Sequence, residues 1–158
     1  MEIRFAKPSD VPAILDLLRQ VGRLHHEGRP DIFRDRAQKY SASQVIAMLD
    51  DPQNPIFIAA EGDKVLGYGF CQILTHAKDP VMTDRTELYL DDLCVDEKGR
   101  GKGVGTALYN AIRRYAKERK CHSLSLNVWS CNKTAYQFYV NLGLVPRKTY
   151  MEDMLDAN

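Results

Sequence analysis

The chain has 158 residues, 44% of them hydrophobic, and 22 lysines and arginines against 21 aspartates and glutamates leave a formal net charge of +1. A chain of this length is expected to fold as a single domain over residues 1–158 with a real hydrophobic core. The near-neutral balance gives no electrostatic reason to expect nucleic acid or a membrane surface as partner, and no apolar run approaches membrane length.

The N-terminus, Met1-Glu2-Ile3-Arg4-Phe5, lacks a signal-peptide pattern, which makes a cytoplasmic location the expectation. Ile3 and Phe5 alternate as a first strand, which Lys7-Pro8-Ser9-Asp10 ends, with Ser9 placed to cap a helix. Val11, Ile14, Leu15 and Leu18, then Val21 or Leu24, form a helical stripe that Gly22 is expected to weaken or end. The polar stretch from Arg23 to Phe33 reads as irregular. Ser41 and Gln44 fit a reciprocal capping box for a short helix running to about Asp50. Ile56–Ala60 and Lys64–Leu74 read as a hairpin about Gly62-Asp63, with Gly67 and Gly69 allowing close packing. The four cysteines (Cys71, Cys94, Cys121 and Cys131) have no Cys-x-x-Cys spacing and read as reduced, mostly buried hydrophobes, with no metal site implied.

The segment from Glu87 to Tyr115 organises the rest. Leu88 and Leu90 lie on one face of a strand, but Leu93 and Val95 fall out of phase with them. One extra residue at Asp91-Asp92, a β-bulge, restores the register. Lys98, Arg100 and Lys102 then alternate with Gly99, Gly101, Gly103 and Gly105 at the mouth of a helix whose stripe is Val104, Leu108, Ala111, Ile112 and Tyr115. Helix N-termini offer unpaired amides and partial positive charge, so the loop suits a phosphate group. It is not a Walker A loop, because Gly103 follows Lys102. It is not a dinucleotide fingerprint either, because Val104 or Thr106 stands where the last glycine belongs.

Further on, Leu124, Leu126 and Val128 alternate as a strand. Asn132 is placed to cap a helix with the face Ala135, Phe138, Tyr139 and Leu142, and Gly143 sits where a C′ glycine belongs. A last strand pair is expected within Leu144–Leu155.

The run Arg100-Gly101-Lys102-Gly103-Val104-Gly105, preceded by a bulged strand and followed by an amphipathic helix, resembles the signature of the GNAT superfamily of acyl-CoA-dependent N-acetyltransferases. The element order matches that family from end to end. The resemblance implies an α/β (α+β) fold: a central mixed, mostly antiparallel sheet of six to seven strands flanked by about four helices. It also implies that the strands ending at Val95 and at Val128 or Trp129 splay to admit acetyl-CoA. On this resemblance, Arg100, Gly101, Lys102, Gly103, Val104, Gly105 and Thr106 hold the pyrophosphate. Leu93, Cys94 and Val95 pair with the pantetheine, and Asn132 and Ala135 lie against it. Tyr139 matches a family tyrosine that protonates the departing sulfur, in a pattern where Leu144 replaces phenylalanine.

The base is open among Asp91, Asp92 and Glu87, with Asp91 aligning best and a water relay the alternative. Cys94 as a nucleophile is disfavoured. His25, His26, Phe33 and Trp129, with Arg29, Asp31 and Tyr40, are candidates to line the acceptor site. The carboxylates favour a cationic amine, such as a polyamine, amino sugar or amino-acid derivative. A protein N-terminal or lysine acceptor is the alternative, and a non-catalytic CoA-binding module is the reading from another class. A homodimer is left open.

Overall fold

The computed structural model describes residues 1–155 and divides the chain into two compact units, Met1–Asn127 and Val128–Asn158.

The first unit is built on a five-stranded sheet in the order β1-β2-β3-β4-β5: Glu2–Phe5, Ile56–Glu61, Lys64–His76, Arg85–Val95 and Ser123–Ser125. The first four strands are antiparallel in sequence order, and β5 lies parallel to β4. The count falls short of the expected six to seven. No helix or strand forms between residues 144 and 155, so the last strand pair is absent among the described residues. Val145, Tyr150 and Met151 are largely exposed there. Apolar alternation records that a segment could be a strand, but only a neighbouring edge can make it one.

Helices α1 (Val11–Gly28) and α2 (Ala42–Leu49) cover one face, and α3 (Val104–Glu118) packs against all five strands from the other. On the first face Ile14, Leu18 and Val45 pack with Ile58, Tyr68, Phe70 and Cys94 in one buried cluster. On the second, Leu108 and Ile112 are buried over the two sheet glycines. A Cβ on Gly67 would stand 2.7 Å from the Cys94 carbonyl oxygen, and one on Gly69 would stand 2.6 Å from Ile112 Cδ1. Both glycines serve close packing, as the sequence implied.

Two local expectations change. Asp10, not Ser9, organises the start of α1. Its buried carboxylate accepts from Arg4 at 2.7 and 2.9 Å and from the Lys7 amide at 2.9 Å. The Arg4 hydrogen bonds hold its pKa below the usual carboxylate range. Gly22 does not end α1, which continues to Gly28. Instead the Gly22 backbone is approached by Ala37, whose carbonyl oxygen lies 2.3 Å from where a Cβ would stand. The sequence marked the right residue for the wrong reason. Consequently Arg23 to Gly28 are helical, and the irregular segment begins at Arg29. The capping box at the start of α2 forms as read: the Ser41 amide donates to Gln44 Oε1 at 2.8 Å and the Gln44 amide to Ser41 Oγ at 3.2 Å.

The second unit contains α4 (Lys133–Asn141). Asn132 Oδ1 accepts from the Ala135 amide at 3.1 Å, capping the helix. At the other end Gly143 takes φ 92°. The amides of Gly143 and Leu144 donate to Val140 and Tyr139 at 2.9 and 3.1 Å, a Schellman closure.

Candidate active site

The bulge is where the phase of the sequence put it. Phe70 faces Asp92 and Cys71 faces Leu90, so Asp91 is the extra residue on β4. Its effect can be seen at Gly69, whose Cβ position would touch both Leu90 and Leu93 at 3.7 and 3.5 Å. Without the extra residue these leucines would lie on opposite faces. The bulge also commits Asp92 and Cys94 to the face covered by α1 and α2, opposite Phe70 and Tyr68.

The second feature is where β4 and β5 part. Their parallel pairing covers Glu87↔Ser123, Leu88↔Leu124 and Tyr89↔Ser125 and ends there. Beyond it, Asn127 Nδ2 donates to the Tyr89 hydroxyl at 3.0 Å. From Leu90 to Val95 no strand among the described residues pairs with the outer edge of β4. A strand that parts from its neighbour leaves amides and carbonyls that need other partners.

The third feature is the loop. A 3₁₀ turn over Glu97–Gly99 leads into it, tied to the sheet by Asp96 N–H donating to Leu66 O at 2.9 Å. It is buttressed by α1: Gln20 Nε2 donates to Asp96 Oδ2 at 3.1 Å, and Arg23 pairs with Glu97 at 2.6 Å. Arg100 Nε donates to the Val95 carbonyl at 3.3 Å. Gly101 and Gly103 take φ 75° and 78°, in the left-handed region, with open space where their side chains would be. Gly103 is the N-cap of α3. Lys102, with Lys64 and Lys98, lines a cavity of about 180 Å³ beside the loop. A larger cavity of about 270 Å³, lined by Met48, Asn54, Tyr115 and Arg119, holds none of the residues named for chemistry. Among the described residues no cluster of histidine, cysteine and carboxylate side chains is placed to hold a metal.

The three candidate bases have different surroundings. Glu87 is 4% exposed; its carboxylate accepts from His76 Nε2 at 2.9 Å and Ser123 Oγ at 3.3 Å, joining β3, β4 and β5. Asp91 accepts on Oδ2 from the Tyr40 hydroxyl at 2.6 Å and from Lys39 Nζ at 2.9 Å. Asp92 accepts from the Tyr68 hydroxyl at 2.9 Å. Desolvation is the largest influence on Asp92; it outweighs Tyr68 and Lys39 and, with repulsion from Asp91, lifts the carboxyl to about 6. Cys94 donates its thiol to Leu17 O at 3.6 Å, and burial pushes it up to about 12, far from a thiolate.

The segment between α1 and α2 lies close to the bulge. His25 stacks on Phe33 with ring centroids 4.8 Å apart, and His26 Nδ1 donates to the Phe33 carbonyl at 2.8 Å. Burial lowers the pKa of His25. Arg29 pairs with Asp31 at 2.7 Å, so both are used within the segment. Tyr40 stacks on Phe70 at 5.3 Å while its hydroxyl reaches Asp91. Lys39 and Tyr68 are site residues that sequence reasoning missed. Each acquires its role through a partner far along the chain, and no local pattern marks such pairing. In the second unit, Tyr139 is half-buried with its ring 5.1 Å from Phe138, and Trp129 is exposed with its carbonyl accepting from Asn132 N at 2.8 Å.

A bulged strand that parts from its parallel neighbour and feeds a glycine-rich helix mouth is the arrangement that the resemblance to acyl-CoA-dependent N-acetyltransferases implies. A profile of the acetyltransferase (GNAT) family matches residues 18–144, and the chain belongs to that family of N-acetyltransferases. Thialysine N-epsilon-acetyltransferase of Mus musculus is 27% identical over 144 residues, covering 89% of this chain and 82% of that protein. N-alpha-acetyltransferase 30 of Xenopus laevis is 32% identical over 117 residues, covering 74% of this chain; the match spans only 41% of that relative's length. Among solved structures, a mutant of the BH1408 protein from Bacillus halodurans superposes with a TM-score of 0.93 at 31% identity, covering 98% of this chain and 99% of that one.

Proposed function

We propose that residues 1–158 act as one acetyl-CoA-dependent N-acetyltransferase domain that passes an acetyl group to a primary amine by direct attack. The observation that carries this reading is the convergence on β4 of the bulge, the unpaired edge beyond Tyr89 and the loop at the mouth of α3. The chain fits the cosubstrate. The left-handed glycines leave open space for a phosphate group beside first-turn amides, and the β4 edge offers backbone donors and acceptors to an extended amide-bearing arm.

Acetyl-CoA supplies the activated thioester. By the family resemblance Arg100 to Thr106 would hold its pyrophosphate and Leu93, Cys94 and Val95 would run along the arm, and the same resemblance gives Asn132 and Ala135, in the second unit, an arm-contacting role. Asp92 takes the proton from the acceptor ammonium. A carboxyl lifted to about 6 is still ionised at neutral pH and is a better proton acceptor than an ordinary aspartate. Asp91, held by Tyr40 and Lys39, fixes the bulge beside Asp92. Glu87, occupied by His76 and Ser123, serves the sheet. An amide of the bulged segment donates to the developing oxyanion, and the Tyr139 phenol holds the proton that the departing sulfur needs.

The acceptor is a small amine lined by His25, His26 and Phe33, with Trp129 as a further wall. Support comes from the relative that acts on thialysine, which this chain matches over 82% of its length against 41% for the N-alpha-acetyltransferase. That second relative keeps a protein N-terminus as the alternative. Release of free CoA thiol against a panel of small amines and N-terminal peptides, with wild type and Tyr139→Phe, tests the reading. Turnover that falls in Tyr139→Phe while acetyl-CoA affinity holds is expected. Binding of acetyl-CoA with no amine consumed would leave only a CoA-binding module.

A further inference from the structure

We propose that Lys39 makes this site select singly charged acceptor amines over multiply charged ones, by neutralising Asp91 from within. The inference rests on the acceptor reading above and narrows it.

Two adjacent aspartates at a bulge would by themselves attract a dication. Here one of them is already satisfied. Lys39 Nζ lies 2.9 Å from Asp91 Oδ2 and 3.5 Å from the Asp91 backbone oxygen, and the Tyr40 hydroxyl occupies the same carboxylate oxygen at 2.6 Å. The Asp91 side chain is only 13% exposed beneath a Lys39 side chain that is 43% exposed. Lys39 therefore stands between Asp91 and solvent. Its charge also reaches the neighbours, stabilising ionised Asp92 and disfavouring protonated His25.

Lys39 is not a loose surface lysine. Gln38 Nε2 donates to the Tyr40 carbonyl at 2.8 Å across it, Arg19 holds Gln38 at 3.1 Å, and Tyr40 is stacked on Phe70. An incoming ammonium finds Asp92, which accepts from Tyr68 and has no close ion pair of the kind that occupies Asp91. A second ammonium on the same acceptor would find a fixed cation in place of a second anion. The discrimination is a matter of net charge at the bulge and needs no steric gate.

Pentylamine and diaminobutane have the same number of heavy atoms and differ in one terminal charge. Their affinities, from NMR titration of bulge amides in the presence of CoA, and their kcat/KM, from thiol release, are measured for wild type, Lys39→Met and Lys39→Arg. Lys39→Met is expected to move the diaminobutane-to-pentylamine ratio about tenfold toward the diamine, the size of one partly screened charge contact. Lys39→Arg should stay near wild type, and the shift should shrink as salt is added. A ratio that moves less than about twofold would make Lys39 an ordinary surface ion pair and overturn the inference. Failure of both amines to bind any variant overturns it as well. A binding ratio that shifts without turnover upholds Lys39 and sinks the transferase reading; turnover with an unmoved ratio does the reverse.

Discussion

Asp91 and Asp92 are neighbours with the same side chain, yet the fold separates their chemistry. One is pinned by a phenol and an ammonium; the other accepts from a phenol and the Leu93 amide and is desolvated. A raised carboxyl pKa has two consequences of opposite sign. For catalysis, the ionised form is the useful one, so kcat/KM should rise with pH through about 6. Asp92→Asn should lose that limb and roughly 100-fold in kcat/KM. For stability, a folded-state pKa above the unfolded value gives a contribution that is complete below the unfolded pKa and is lost as pH rises through about 6. Asp92→Asn should therefore melt a few degrees higher than wild type at about pH 8 and nearly the same at about pH 4. A lower melting temperature at the alkaline end would show that the carboxylate stabilises the fold.

At the scale of elements, glycines with different neighbours should fail differently. Gly67→Ala drives a methyl into the Cys94 carbonyl, a backbone atom that cannot yield without moving β4. Gly69→Ala meets the tip of Ile112, which can turn. Denaturant titration should place Gly67→Ala about 1–3 kcal/mol below wild type and Gly69→Ala closer to it. Gly22→Ala meets the Ala37 carbonyl and should lift the segment carrying Lys39 and Tyr40 from α1. The expected result is a raised KM for the amine, with the KM for acetyl-CoA within about twofold of wild type, because binding is lost on one side only. The bulge and the helix mouth were legible because each is a local departure from a period: a slip in apolar phase, or glycine where a helix should begin. The caps at Ser41 and Asn132 were legible for the same reason. Gly22 was misread because a helix-weakening residue and a residue under a crossing chain look alike in one dimension.

At the scale of the molecule, the loop's role has a thermodynamic signature. A ligand that binds only the folded chain stabilises it by about 2.7 kcal/mol at a hundredfold excess over Kd. CoA should raise the melting temperature of wild type, and Gly103→Asp, which adds a strained side chain and a negative charge at φ 78°, should abolish that rise. A rise of equal size in the variant would move the pyrophosphate away from the loop. The parallel pairing of β4 with β5 follows from their connection through a helix, as the element order implied. What could not be read were partners brought together from afar: Tyr40 with Asp91 and Tyr68 with Asp92. Nor could the sequence show that residues 144–155 would find no strand to pair with.

The short pairing of β4 with β5 also bears on solubility. An extended segment whose outer hydrogen-bonding edge is unmatched by another strand is a template for a foreign chain, and proteins protect such edges with bulges and charge. The segment from Leu90 to Val95 carries the bulge, at Asp91. The irregularity that sets Asp92 beside the site also breaks the even ladder that a second copy would need. Deleting the extra residue should therefore cost colloidal stability as well as turnover.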